Sequence, residues 1–217
     1  MTIENLLHGV ESASTWIGKA FAWLIVALML LVTVEVFKRY ILNMPTAWVF
    51  DVSNMLYGTL FMMSGAYALA HDGHVRGDFL YGSMKPRRQA ALDLVLYVAF
   101  FLPGILALTW AGWVYAGDAL RIHETTFNAT PLPIYPFKFI IPLAGATVLV
   151  QGCSEMLRCV VCLKRGQWTP RLDDADEIDV VEQQLAGSTY VDEDAKREAI
   201  ARARSIDEAA RQRLGQE

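Results

Sequence analysis

Between Ala20 and Val34 the chain carries no charge, and apart from the Trp23 indole its one polar side chain there is Thr33. An amphipathic helix of a soluble protein brings polar residues round every third or fourth position, and this run does not. A helix rises about 1.5 Å per residue, so roughly 20 apolar residues cross about 30 Å of hydrocarbon. The pattern predicts a membrane span over residues 17–39, opened by Lys19 and closed by Glu35, Lys38 and Arg39. Ahead of it Ile3, Leu6, Leu7, Val10 and Ile17 recur at helical spacing, with Glu4, Asn5, Glu11 and Ser12 between them. That spacing predicts an amphipathic segment over 1–16 that suits a bilayer interface. A cleaved leader would need a basic start and a short apolar core. Glu4, Glu11 and the length of the run predict an uncleaved anchor instead.

Three more apolar runs follow, predicted as spans over 48–70, 90–117 and 137–163. Asn43 and Pro45 separate the first two, and Tyr40 and Trp48 flank the break, where amphipathic rings suit the headgroup layer. Asp51 falls in the first turn of the second span, at the positive end of the helix dipole. Asn54 and Gly58 share a face of that helix, and glycine lets a neighbour approach closely. Pro103 with Gly104 should bend the third span, and Pro142 should kink the fourth. Gly145 and Gly152, seven apart, share a face, and Glu155 and Arg158 are placed to pair.

Charge sets the sidedness. Residues 1–169 hold 12 Lys/Arg against 10 Asp/Glu, whereas 170–217 hold 7 against 13, so the net −4 belongs to the tail. Cations near span ends gather in the second loop (Arg76, Lys85, Arg87, Arg88) and after the fourth span (Lys164, Arg165, Arg171). By the positive-inside bias both termini lie in the cytoplasm. The expected architecture is all-α: an integral bundle of four transmembrane helices (17–165), with an acidic cytoplasmic tail, partly helical or disordered, over 166–217. Lys85, Arg87 and Arg88 are candidates for anionic headgroups. No basic patch interleaved with aromatics points to nucleic acid.

Candidate chemistry is sparse. Cys153, Cys159 and Cys162 cluster on one apolar segment and read as packing, since no second pair or nearby histidine completes a metal site. His8, His71, His74 and His123 fall outside the predicted spans, which disfavours a membrane haem. No phosphate loop, zinc motif or nucleophile elbow is present. The reading is a non-enzyme without cofactors. Glu35 is the most embedded carboxylate; Arg39, four residues on, makes an interfacial ion pair its simplest role, and a self-sufficient small cation-coupled exporter using Glu35 is the alternative.

The loops carry a resemblance. Arg39-Tyr40 with Asn43, Pro45 and Trp48, an acid at Asp51, and His74-Val-Arg-Gly-Asp78 resemble the small membrane subunit of tripartite ATP-independent periplasmic (TRAP) transporters. Leu132-Pro-Ile-Tyr-Pro-Phe-Lys138, Ile141-Pro142 and Gln151-Gly152 resemble the same family's entry into its fourth span. Asp51 stands where the family usually has glutamate, and Gly77 where it usually has valine. The resemblance implies sodium-driven uptake of an organic acid. A periplasmic binding protein captures the substrate, a large multi-span subunit carries it, and the small subunit is a scaffold. It makes Arg39, Tyr40, Pro45, Trp48, Asp51, His74, Arg76, Asp78, Glu124 and Lys138 candidates for partner contact or structure.

Overall fold

The computed structural model describes residues 3–71, 81 and 84–169 (for Glu4 the backbone alone). His74, Arg76 and Asp78, and the tail from 170, lie outside the described residues. Among the described residues the fold is all-helical, with no strand beyond an isolated bridge between Thr125 and Pro133. Helix α1 runs Ile3–Ala22, α2 Leu24–Tyr40, α3 Val49–Ala70, α4 Pro86–Leu96, α5 Leu102–Arg121, α6 Tyr135–Lys138 and α7 Ile140–Arg165.

Several of these join end to end. At Trp23 the backbone stays right-handed, so α1 and α2 form one helical run. A π-helical turn, Tyr97–Phe101, joins α4 to α5. Its cause is Pro103. In a regular helix the proline ring meets the carbonyl four residues back, and proline offers no N–H in return. The widened turn relieves both, and Leu102 N–H donates to Tyr97 O, five residues back. The expected bend at Pro103 thus takes the form of a turn just before it. At Phe139, between α6 and α7, the backbone stays right-handed as at Trp23, and Pro142 falls in the first turn of α7, where a missing N–H costs nothing.

Among the described residues three helical runs are long and apolar enough to cross a membrane: Asn5–Tyr40 and Pro86–Arg121, of 36 residues each, and Tyr135–Arg165, of 31. Helix α3 has the length, 22 residues, but Asp51, Ser53, Asn54 and Thr59 make it less apolar than those three. The longest runs reach about 54 Å, beyond the roughly 40–45 Å of a bilayer with its headgroups.

Packing rests on close approach. The buried core is mostly small: Ala66, Ala70, Ala90, Ala116, Ala119, Ala144 and Cys162, with Leu7 and Met63. A Cβ on Gly145 would lie 2.4 Å from Thr109 Oγ1, and one on Gly152 would lie 2.1 Å from Phe101. The shared glycine face of the fourth run is thus where α5 and the π turn seat. Gly18 admits Tyr67 in the same way, and Gly58 admits Phe137. Asn54, in contrast, is exposed. Such approach gains dispersion where the surrounding lipid is as apolar as the side chains. The contacts make α3 and α7 run in one direction and the other two runs in the opposite one. Residues 41–48 and 122–134 consequently share one end of the bundle, the loop end. Residue 3, Pro86 and Thr169 share the other, the terminal end.

Candidate functional site: the polar ends of the bundle

At the loop end, three tethers fix two short loops. Glu35 is buried in the last turns of α2. Its Oε1 accepts from Arg39 at 2.9 Å and from the backbone N–H of Thr46 at 3.0 Å. Lys38 Nζ donates to Thr46 Oγ1 at 2.7 Å, and Met44 N–H to Lys38 O at 3.1 Å. The expected Glu35–Arg39 pair is present, and the carboxylate also holds the chain reversal that delivers Trp48 to α3. Asn43 takes a left-handed φ of 52° in this reversal, a conformation that asparagine tolerates better than most residues.

The second tether begins at the end of α5. His123, at φ 48°, ends that helix as glycine usually would: its N–H donates to Leu120 O and the N–H of Glu124 to Ala119 O. This cap points the next residues back along the bundle. Ile134 N–H returns to Glu124 O at 3.0 Å, and Thr126 N–H donates to Leu132 O at 2.9 Å. Glu124 pairs with Lys138, whose ammonium also lies 3.9 Å from the Tyr115 ring centroid. Lys138 is buried by these contacts. The third tether links the loops: Asn128 donates to Asp51 Oδ1. Asp51 is buried too, and its Oδ2 has no hydrogen-bond partner. Tyr40, Pro45, Trp48 and, fully, Phe127 are among the residues that stay exposed here. Arg39 is half exposed. Of the loop-end candidates, then, Asp51, Glu124 and Lys138 are inward-facing ties, and Tyr40, Pro45, Trp48 and part of Arg39 form surface.

The terminal end holds a network that sequence reasoning missed. Arg158, 1% exposed, donates from Nη2 to Glu11 Oε2 at 2.9 Å and from Nη1 to Thr169 O at 3.5 Å, with Glu155 3.9 Å from its Nε. Ser14 donates to Gln151 Oε1 at 2.8 Å, and Gln151 donates to Glu155 Oε1 at 3.1 Å. The Glu155–Arg158 pair was legible. The partner on α1 was not, because Glu11 and Ser14 look like the wet side of an amphipathic segment. A signal existed: Gln151, Ser154, Glu155 and Arg158 repeat at i, i+3, i+4 and i+7, a polar stripe on an otherwise apolar helix. Beside it Tyr81 donates to Asp93, Gln89 to Tyr81 O, and Trp168 Nε1 to Gln89 Oε1 at 3.0 Å. Lys85, Arg87 and Arg88 are exposed on the same end.

Among the described residues the buried charges are tied at the two ends, and the middle is small-residue packing. The family profile described as "Tripartite ATP-independent periplasmic transporters, DctQ component" matches residues 28–162. The chain belongs to that family. It is the small membrane subunit of a TRAP transporter, a transporter component generally without catalysis of its own. Membership implies association, in general terms, with a large TRAP membrane subunit and a binding protein, and inner-membrane residence. No curated protein matches the sequence. The matched region takes in Glu35, both loop-end ties and Arg158, but begins after Glu11 and Ser14. The α1 half of the terminal-end network therefore lies outside the family match.

Proposed function

We propose that this TRAP subunit is the fixed scaffold of a sodium-coupled importer of organic acids. It crosses the inner membrane four times, with α3 as the second crossing, both termini in the cytoplasm and the loop end in the periplasm. It braces the large transport subunit laterally and helps to dock the substrate-loaded binding protein at the loop end. The observation that carries the reading is α2. Among its residues only Glu35 is buried, while Ile25, Met29, Leu30, Val34 and Phe37 are exposed. A helix that packs so little on its own chain supplies apolar surface to something else, and at span depth that is lipid or another membrane helix. The loop-end ties hold Trp48 and Phe127 in place, and preorganised loops favour docking.

Detergent extraction of the full system tests this. The subunit is expected to co-purify with a much larger multi-span protein. A stable homo-oligomer that transports on its own would contradict the scaffold. Glu35→Gln separates the scaffold from the exporter alternative, since a scaffold keeps most uptake and a carrier using Glu35 loses it.

A further inference from the structure

Helix α3 leaves one stripe bare. Phe50, Asn54, Tyr57 and Phe61 follow one another at i, i+4, i+7 and i+11, the spacing of a single helix face, and all four are exposed. The Tyr57 and Phe61 rings stack along it with centroids 6.4 Å apart. The chain packs on the flanks instead: Gly58 and Gly65 meet Phe137 and Val148, and Tyr67 meets Gly18. Lipid can cover the three rings, but the Asn54 amide is another matter. It lies five residues inside Val49, about 7 Å along the helix, and its side chain is too short to return to the headgroups. Other polar side chains of the long helices turn back on their own backbone. Thr33, Thr59, Ser64, Thr109 and Thr147 each donate to a carbonyl three or four residues before. Asn54 makes no hydrogen bond to any described residue. An amide that faces hydrocarbon without a partner is costly, and lipid tails offer it neither donor nor acceptor.

We infer that this stripe is where a transmembrane helix of the large TRAP subunit packs, with a hydrogen-bonding group of its own (an amide, a hydroxyl or a free carbonyl) set against Asn54. The contact rests on the scaffold reading, with α3 as a crossing, and adds to it the face that the partner covers. Membrane helices associate through packing and interhelical hydrogen bonds, since lipid tails already match apolar side chains. That favours α3 over α2. Between Leu24 and Val34, α2 carries only apolar groups and Thr33, whose hydroxyl is already bonded to Met29 O, so lipid can cover it. Phe50 and Phe61 extend the contact on α3 from its first turn to the middle of its 22 residues.

The test uses the assembled membrane complex. With benzoylphenylalanine in place of Phe61, irradiation should join the subunit to the large one, in a band at the sum of their masses. Asn54→Leu should weaken the pairing of the two subunits in detergent about three- to twentyfold, the range of one interhelical hydrogen bond. Asn54→Gln, which keeps the amide, should retain more of the complex than Asn54→Leu. Thermal unfolding of the full-length subunit alone, followed by circular dichroism, should move the other way, because leucine suits lipid better than an amide does. There Asn54→Leu should be at least as stable as the parent, which separates a lost contact from misfolding. Lipid adducts alone at Phe61, unchanged pairing on Asn54→Leu, or a loss of stability in the Asn54→Leu subunit alone would overturn the interface. Each of those results leaves the scaffold standing, whereas failure of any large subunit to co-purify removes the scaffold itself.

Discussion

Replacing Arg158 by Met keeps an unbranched apolar stem and removes the charged guanidinium. In the folded subunit Glu11 and Glu155 then remain buried without the cation between them. At an effective dielectric of about 20, the contact at 2.9 Å carries about 6 kcal/mol of gross attraction and the one at 3.9 Å about 4. Desolvation of three ions offsets most of this, which is why a buried pair adds little over an apolar one while a broken pair costs about 3–5 kcal/mol. Arg158→Met should therefore destabilise the subunit by about 3–5 kcal/mol. Adding Glu11→Gln should recover a large share, because it removes the charge left stranded. Unfolding in mixed micelles, followed by tryptophan fluorescence and circular dichroism, reads all three proteins against the parent. A loss below about 1 kcal/mol for the single variant, or a double variant no better than the single, would refute the buried ion network. The same cycle tests the attachment of α1, since Glu11 and Ser14 are its polar links to α7.

Other substitutions address other parts of the account. Gly145→Val should destabilise by about 1–3 kcal/mol or more through overpacking against Thr109, whereas Gly104→Ala, with open space around its Cα, should be neutral or gain up to about 1 kcal/mol; the same unfolding titration measures both. Asn128→Asp sets a second carboxylate against Asp51 and removes a charge-assisted bond of about 1.5–3 kcal/mol, so chymotryptic cleavage after the exposed Phe127 should speed up. Cleavage at the parent rate would mean that the tie does not hold the loop. Lys138→Met should free the 122–134 loop in the same assay and weaken capture of the binding protein, read by surface plasmon resonance on the assembled complex.

Much of the bundle was legible because membrane helices announce themselves by length and the absence of charge. The first, third and fourth runs were placed by that rule, and the glycine face at Gly145 and Gly152 by simple periodicity. The helices nevertheless outrun the spans read from hydropathy: α1 starts at Ile3 and α4 at Pro86, since hydropathy registers the hydrocarbon and not the part of a helix beyond it. The effect of Pro103 was anticipated in kind and displaced by one turn, because the strain falls on the carbonyl four residues earlier. Charges were harder. Glu35 with Arg39 is an i, i+4 pair visible in one helix. Asp51–Asn128 and Glu11–Arg158 join positions 77 and 147 residues apart. No local pattern reveals such partners, and Glu11 in particular has the spacing of a solvent-facing residue. Lys138 was read as a candidate for partner contact or structure, which left its burial open. Its burial depends on Tyr115 and on Glu124, which the left-handed cap at His123 brings into place.

The account stands most directly on the sidedness of the two ends. Single cysteines at Ala47, Phe127, Lys85 and Gln167, in a variant without the native cysteines, can be probed with an impermeant maleimide on spheroplasts and again after permeabilisation. The account predicts that Ala47 and Phe127 react from outside and that Lys85 and Gln167 react only once the membrane is opened. Reaction of Lys85 and Gln167 from opposite faces would contradict a bundle that returns its chain to the side on which it began, and the scaffold built on it.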